Sequence, residues 1–372
     1  MTETKLQGVR KQLGYKADAV ITMLLRRADM LGLAVMSPVS LKTKLSRWEN
    51  GHEEVSQPYR RLFRDIYGRT NDELGFPPDD DNNEAEELLS RLALARSVDS
   101  EMVEVFRRQV DDARHVDRRL GGVVVLDQLR SNIKQIRGLL SFSTVAGQRE
   151  ALAGVLTEAS ALAGWEALDR NAIRQAWEHH ETAKTAAREA GSPLLFAHSL
   201  AQQAFILVDL GETGPAVEQL AEARTIAKHT APPLLRSWLA AAHGEGLAAA
   251  GHRSEALRAF DSADGLLPAD PEDPALPFLF LGGAHLDRWR GHALSKLGEP
   301  DAIDQLSHAL PRLPADFIRA KTGMLVDLAY AHAASGDRDE ALAQARQARR
   351  LAGQIKSDRQ LRRKEPCQRG RV

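Results

Sequence analysis

The chain has 372 residues, 43% of them hydrophobic, and a formal net charge of −1, which is long enough for two or more domains with buried cores. Leucine and alanine dominate the apolar residues and aromatics make up 5%, a profile that favours helices throughout. The single cysteine, Cys367, excludes an intramolecular disulfide and any cysteine-based metal centre. With no basic-then-apolar leader and no apolar run read as approaching a membrane span, the expectation is a cytoplasmic protein without membrane contact.

Charge is unevenly spread. Residues 1–76 carry thirteen Lys/Arg against nine Asp/Glu, residues 77–89 carry six acids and no base, and residues 346–372 carry ten bases against two acids. A basic head and tail around a neutral body fits a local nucleic-acid footprint.

In chain order, Leu6, Val9 and Leu13 predict a first amphipathic helix ended by Gly14. A second runs from Asp18 to Leu31, with Val20, Leu24 and Met30 among its apolar positions and Gly32 behind it. Leu33 to Val39, including Pro38, reads as a connection longer than a tight helix-turn-helix turn. Next comes a helix between an N-cap at Ser40 and a terminator at Gly51. Leu41, Leu45 and Trp48 form its buried stripe, while Lys42, Thr43, Ser46, Arg47 and Asn50 share the opposite arc. Such a cationic, hydrogen-bonding face suits a DNA major groove. Pro58 to Tyr67 places Tyr59, Leu62, Phe63 and Ile66 on one side, and Thr70 to Glu73 is a capping box before Gly75.

Ser46-Arg47-Trp48-Glu49-Asn50-Gly51, then Pro58-Tyr59-Arg60-Arg61-Leu62, Tyr67-Gly68-Arg69-Thr70 and Glu73-Leu74-Gly75-Phe76, occur in order. Over this first fifth of the chain, the sequence resembles the Cro-like (Xre-type) helix-turn-helix regulators common in actinomycetes. The resemblance implies that the helix after the turn enters the major groove. By position, Lys42, Thr43 and Arg47 would face base edges, Asn50 would lie near the backbone, and Lys44 would meet phosphate. The family often has a glutamine at the start of its second helix; here Ala17 stands there, and the neighbouring Lys16 is the expected phosphate contact.

Residues 77–89 read as an acidic linker, because two prolines stop the preceding helix and the acidic run cannot pack. Residues 90–145 read as connecting helices with arginine-rich outer faces, as in Val103 to Leu120, and Val123 to Val125 as part of a buried helix.

Residues 146–356 contain an internal repeat of a small residue, a turn residue, and two alanines at offsets of seven, five and seven. The copies are Gly164, Asn171, Ala176, Ala183; Ala204, Gly211, Ala216, Ala223; Gly244, Gly251, Ala256, Ala263; Gly291, Gly298, Ala302, Ala309, shortened by one; and Ala329, Gly336, Ala341, Ala348. Small residues let antiparallel helices approach, and glycine or asparagine tolerates the positive φ of the turn. The pattern resembles a tetratricopeptide array, although copies recur every 38 to 47 residues against the usual period of about 34. The predicted fold is therefore all-α: a helix-turn-helix bundle followed by an α-solenoid. First helices of such arrays line a concave groove, here expected to include Trp165, His198, Phe205, Trp238, Glu245, His285, Arg288, His292, Lys296 and Tyr330. His285, Arg288, His292 and Lys296 share one helix face, either a solvated surface or a clamp for a carboxylate.

No phosphate loop, dinucleotide fingerprint, zinc helix or nucleophile elbow occurs, so no catalytic residue, cofactor or metal is expected. Residues 357–372 read as a basic tail, with Arg359, Arg362, Arg363, Lys364, Arg369 and Arg371 either touching phosphates or forming a disordered solubilising end. The resulting expectation is a regulator that binds double-stranded DNA as a homodimer, on half-sites about one helical turn apart. Its repeats would carry dimer contacts and sense a peptide or small-molecule effector, or a protein. The alternatives are a peptide-responsive quorum-sensing-type regulator and a helical-repeat interaction scaffold whose head has lost DNA binding.

Overall fold

The structure is a computed structural model that describes residues 4–77, 81–122, 125–271 and 273–363. It is all-α: nineteen α-helices, one short 3-10 turn and no strand among the described residues. Contacts divide the chain into two units, Met1–Ser90 and Arg91–Val372.

Five helices build the first unit: α1 (Lys5–Gln12), α2 (Ala17–Leu31), α3 (Pro38–Glu49), α4 (Gln57–Tyr67) and α5 (Asn71–Leu74). Their core contains Leu24, Leu41, Leu62 and Phe63, all fully buried, with Leu45 and Trp48 beside them. Arg10 fixes α1 to α3 by a two-toothed ion pair to the buried Glu49 (2.5 and 2.8 Å), while its remaining nitrogen donates to the Tyr15 carbonyl. The capping box at Thr70 forms as the sequence predicts, each partner's side chain meeting the other's backbone.

Two local expectations are corrected. The third helix begins at Pro38, because Ser37 is the N-cap: its hydroxyl accepts from the Ser40 amide and proline occupies the first turn. Ser40 therefore lies inside the helix, and the connection is shorter than predicted. Met30 is exposed rather than apolar-packed, since the buried face of α2 is set by Val20, Ile21, Leu24 and Ala28, and Met30 falls on the far side.

Helix α6 (Asp81–Arg96) spans the division between the units, so the acidic stretch expected as a spacer is helical from Asp81, with Glu87 to Ser90 exposed. In the second unit follow α7 (Ser100–Leu120) and α8 (Leu126–Phe142). The Val123 and Val124 part of the buried-helix expectation lies outside the described residues; Val125 is buried at the start of α8.

Five antiparallel pairs then form the array: α9 (Ala146–Asp169) with α10 (Ile173–Glu189), α11 (Pro193–Leu210) with α12 (Thr213–Ala227), α13 (Pro233–Ala249) with α14 (Arg253–Leu266), α15 (Ala284–Leu297) with α16 (Asp301–Ala309), and α17 (Ile318–Ala334) with α18 (Arg338–Ile355). Each pair coincides with one copy of the sequence repeat. Every turn residue has positive φ: Asn171 59°, Gly211 84°, Gly251 78°, Gly298 72° and Gly336 81°. The small residues mark close approaches, for a Cβ at Gly164 would stand 2.7 Å from His180 and one at Gly244 2.8 Å from Phe260. Helix α11 is long and apolar enough to cross a membrane by composition, contrary to the expectation that no apolar run approaches that length, but 56% of it is buried in the array as a core helix.

Two features depart from a plain array. The connection between α14 and α15, residues 267–283, is seventeen residues long and accounts for the widest copy spacing; connections of this length are uncommon and usually have a task of their own. Its Leu276, Leu279 and Leu281 pack into the core. The ends of the array also meet: α7 packs on α9, α17 and α18, and the C-terminal α19 (Asp358–Arg363) packs on α9, α17 and α18.

Candidate functional site

Two regions present functional chemistry, one in each unit. In the first unit, α3 packs on α2 and α1 and turns an outer arc to solvent. Lys42, Thr43, Ser46, Arg47 and Asn50 are exposed on it, and Lys16 is exposed at the N-cap of α2, next to a half-buried Ala17. Asn50 closes the helix by donating to the Ser46 carbonyl at 2.7 Å. The cations of this arc have acidic neighbours. Lys42 pairs with Asp18 at 3.0 Å and Arg47 with Glu53 at 3.1 Å, while half-buried Lys44 also binds Glu53. The Lys44 hydrogen bond holds the Glu53 carboxyl below the ordinary carboxylate range, with Arg47 adding to the effect. These acids were not foreseen, because Asp18 and Glu53 lie outside the helix whose face the sequence defined.

In the second unit, the first helices of the pairs, together with α7, α19 and the 267–283 connection, surround a cavity of 260 Å³. Eight of the ten residues expected on the concave surface line it: Trp165, His198, Phe205, Trp238, Glu245, His285, Arg288 and His292. Lys296 and Tyr330 do not; Lys296 is exposed at the end of α15, and Tyr330 packs beside Leu325 and Ala348 on the α18 side of α17. His285 and His292 are buried, so the α15 face they define is not a solvated surface.

An aromatic wall runs through the cavity. Trp238 lies 4.9 Å from His198 and 5.6 Å from Trp289, and Phe205 meets Trp289 edge-on at 6.1 Å. Phe278, from the long connection, covers His198 at 4.4 Å. Burial drives the pKa of both His198 and His285 down to about 3, so both are neutral imidazoles at physiological pH.

Charged side chains stitch the wall together. Arg319 on α17 is the hub: it donates to Glu166 at 3.0 and 2.9 Å, to Asp117 at 3.0 Å and again more closely, and faces Asp169 at 3.6 Å. It thereby joins the first and last pairs of the array to α7. Burial, reinforced by Asp117, pushes the Glu166 carboxyl well above its usual range, despite the opposing pull of Arg319. His292 sits between two carboxylates, 3.2 Å from Glu245 and 2.9 Å from Asp327, which ties α13, α15 and α17 laterally. Burial alone would raise the Glu245 carboxyl, but His292 brings it down to about 2. The two nitrogens of His292 point at opposite partners, and among the described residues no cluster of His, Cys, Asp or Glu is arranged to hold a metal ion.

Several lining residues lie beyond what the sequence indicated. Arg114 and Arg118 belong to the arginines of α7 that were expected on an outer face; Arg114 is buried and both line the cavity. Phe278, Phe280 and Phe317 come from connections with no repeat signal. The tail expectation is corrected for its first residues: Ser357 is fully buried and bonded to Asp169 at 2.7 Å, and Arg359 pairs with Asp209 at 2.6 and 2.8 Å and lies 5.4 Å from the Trp165 ring. Arg362 is exposed, and the positions of the Arg363 side chain, Lys364, Arg369 and Arg371 lie outside the described residues.

No family model and no curated protein matches the chain. Among solved structures, the chain is similar to BtubC (BKLC) from P. vanneervenii, at 16% identity and a TM-score of 0.43 over 62% of this chain and 91% of that one. It is also similar to a Podosopora anserina putative kinesin light chain with nearly identical TPR-like repeats, at 18% identity and a TM-score of 0.34 over 54% of this chain and 95% of that one. A glutamine-to-methionine variant of that protein gives 16% identity and a TM-score of 0.35 over 53% and 94%.

Proposed function

We propose that the protein is a cytoplasmic, sequence-specific DNA-binding regulator, acting as a homodimer on double-stranded DNA, whose helical repeats bind a small effector. The observation that carries the effector half is the 260 Å³ cavity, with its aromatic wall and neutral, buried histidines. A concave, largely apolar site with a few fixed polar groups is the usual form of a small-molecule pocket. Because α7 and α19 pack across both ends of the array, a compact effector suits it better than an extended peptide, which needs an open groove.

The DNA half is supported by the exposed arc of Lys42, Thr43, Ser46, Arg47 and Asn50 on a capped helix, together with the resemblance of the head to Cro-like regulators. Effector binding would act by biasing the curvature of the array and hence the spacing of two heads. A second reading, an interaction scaffold that does not bind DNA, draws support from the pairing of Lys42, Lys44 and Arg47 with acids. Selection of genomic fragments by the full-length protein, followed by gel-shift titration, separates the two. Enrichment of a discrete sequence, with Arg47→Ala weakening its binding by about 1–3 kcal/mol, is expected of a base reader. Failure to enrich any fragment would leave the scaffold.

A further inference from the structure

Resting on the reading of the cavity as a ligand site, we propose that its occupant is a compact organic anion, a carboxylate or phosphate on an apolar body, anchored by Arg118. Four other arginines line the cavity; three of them already hold carboxylates, and the fourth, Arg288, is likewise engaged and lies 5.7 Å from the Trp289 ring. Arg114 binds Asp111 and Glu158, Arg319 binds Asp117 and Glu166, and Arg359 binds Asp209. The lining carboxylates are equally engaged: Glu158 by Arg114, Asp117 by Arg319, and Glu245 and Asp327 by His292. A cationic ligand would have to compete with a basic partner already seated at each of these acids.

Arg118 differs. Among the described residues no ion pair reaches it, and its Nε is buried without a hydrogen-bond partner. Its guanidinium carbon lies 3.7 Å from the centroid of Phe280 and 5.3 Å from that of Phe317. Asp316 influences it through space without forming an ion pair. A guanidinium this close over a ring is held by its face, which leaves the N–H groups in its plane available to a further partner. That is the geometry for gripping a carboxylate or phosphate by two parallel hydrogen bonds. The neutral imidazole of His285, packed 4.5 Å from Phe317, adds a polar group at the same end. The body of the ligand would lie along Trp238 and Trp289.

Two fluorescent naphthalenes test this on the full-length protein: 1-anilinonaphthalene-8-sulfonate, and the uncharged N-phenyl-1-naphthylamine with the same rings. Trp165, Trp238 and Trp289 line the cavity and serve as energy donors to a bound probe. The expected result is that the sulfonate binds about tenfold or more tightly than the neutral probe, the scale of a charge-assisted hydrogen-bond pair. Arg118→Met should abolish that preference while leaving the neutral probe's affinity unchanged, and Arg118→Lys should keep part of it. Phenylacetate and phenyl phosphate then compete: displacement by either supports the anion site and identifies its preferred headgroup, and displacement by neither overturns it. Equal binding of the two naphthalenes by the unaltered protein overturns the anion assignment but leaves the cavity as a ligand site, a comparison that needs no variant to fold. If neither probe quenches tryptophan emission, both the anion assignment and the ligand-site reading fall.

Discussion

Arg319 is the side chain on which the second unit's closure turns, since its guanidinium spans from α17 to α7 and α9 and is surrounded by three carboxylates. Removing one member of a buried ionic cluster strands the rest, at a cost of about 3–5 kcal/mol. Arg319→Met should therefore lower unfolding stability by that amount in chemical denaturation. Glu166→Gln should behave differently. The fold holds the Glu166 carboxyl protonated at pH values where the unfolded chain's carboxyl has ionised, so its contribution is lost as pH rises from the carboxylate range through the raised folded value. Glutamine does not titrate, so Glu166→Gln should flatten this loss between about pH 5 and pH 8, with a constant cost at every pH because its amide nitrogen cannot accept the second Arg319 N–H. The buried histidines act in the opposite direction. His180 is neutral in the fold, with a pKa brought by burial to about 3, and protonates in the unfolded chain near 6.5, so stability is lost as pH falls from 6.5 toward about 3. Neither of its ring nitrogens has a partner. His180→Leu should accordingly cost little at pH 7 and flatten the acid limb of a stability-against-pH curve, and an unchanged limb would place the acid sensitivity elsewhere.

At the level of elements, each helix pair is specified by a small residue opposite a large one and by a positive-φ turn. Gly244→Ala isolates the first requirement. Alanine is the better helix former by about 1 kcal/mol, but its Cβ would stand 2.8 Å from Phe260, and overpacking of this kind costs about 1–3 kcal/mol. Thermal melting should show a net loss, whereas a gain would mean that the Phe260 ring moves aside freely. The same two requirements explain why the array was legible in the sequence. A residue at φ 84° or φ 59° is drawn from a very short menu, so Gly211 and Asn171 carry the register by themselves. The capping box at Thr70 and the stripe of Leu41, Leu45 and Trp48 were readable for similar local reasons. What closes the cavity was not. Asp117 and Arg319 are 202 residues apart in sequence, and their meeting depends on the summed rotation of five helix pairs. Nor does periodicity report that Phe278 and Phe280, in an irregular connection, turn inward. The arginines of α7 followed a helical pattern correctly, but which side of that helix is covered depends on where the array ends.

For the molecule as a whole, the question is whether the head engages DNA through cations that already have acidic neighbours. Exposed ion pairs contribute little to stability, about 0–1 kcal/mol, and exchange readily for a stronger partner. A duplex can therefore displace Glu53 from Lys44 and Arg47, with a phosphate at the first and a base edge at the second, but the displaced carboxylate stays close and opposes the incoming charge. Glu53→Gln removes that opposition without altering the outer arc of α3. If the head reads DNA, the substitution should tighten binding about tenfold at moderate salt. It should also steepen the fall of log affinity with log salt by about 1, as Lys44 gains a phosphate while Arg47 reads a base edge. A scaffold head would show no salt-dependent duplex binding with or without Glu53. A third outcome, tighter binding with an unchanged salt slope, would mean that Lys44, like Arg47, contacts a base rather than a phosphate. The sequence preference of the variant, measured against the fragment selected by the parent protein, would then have to persist.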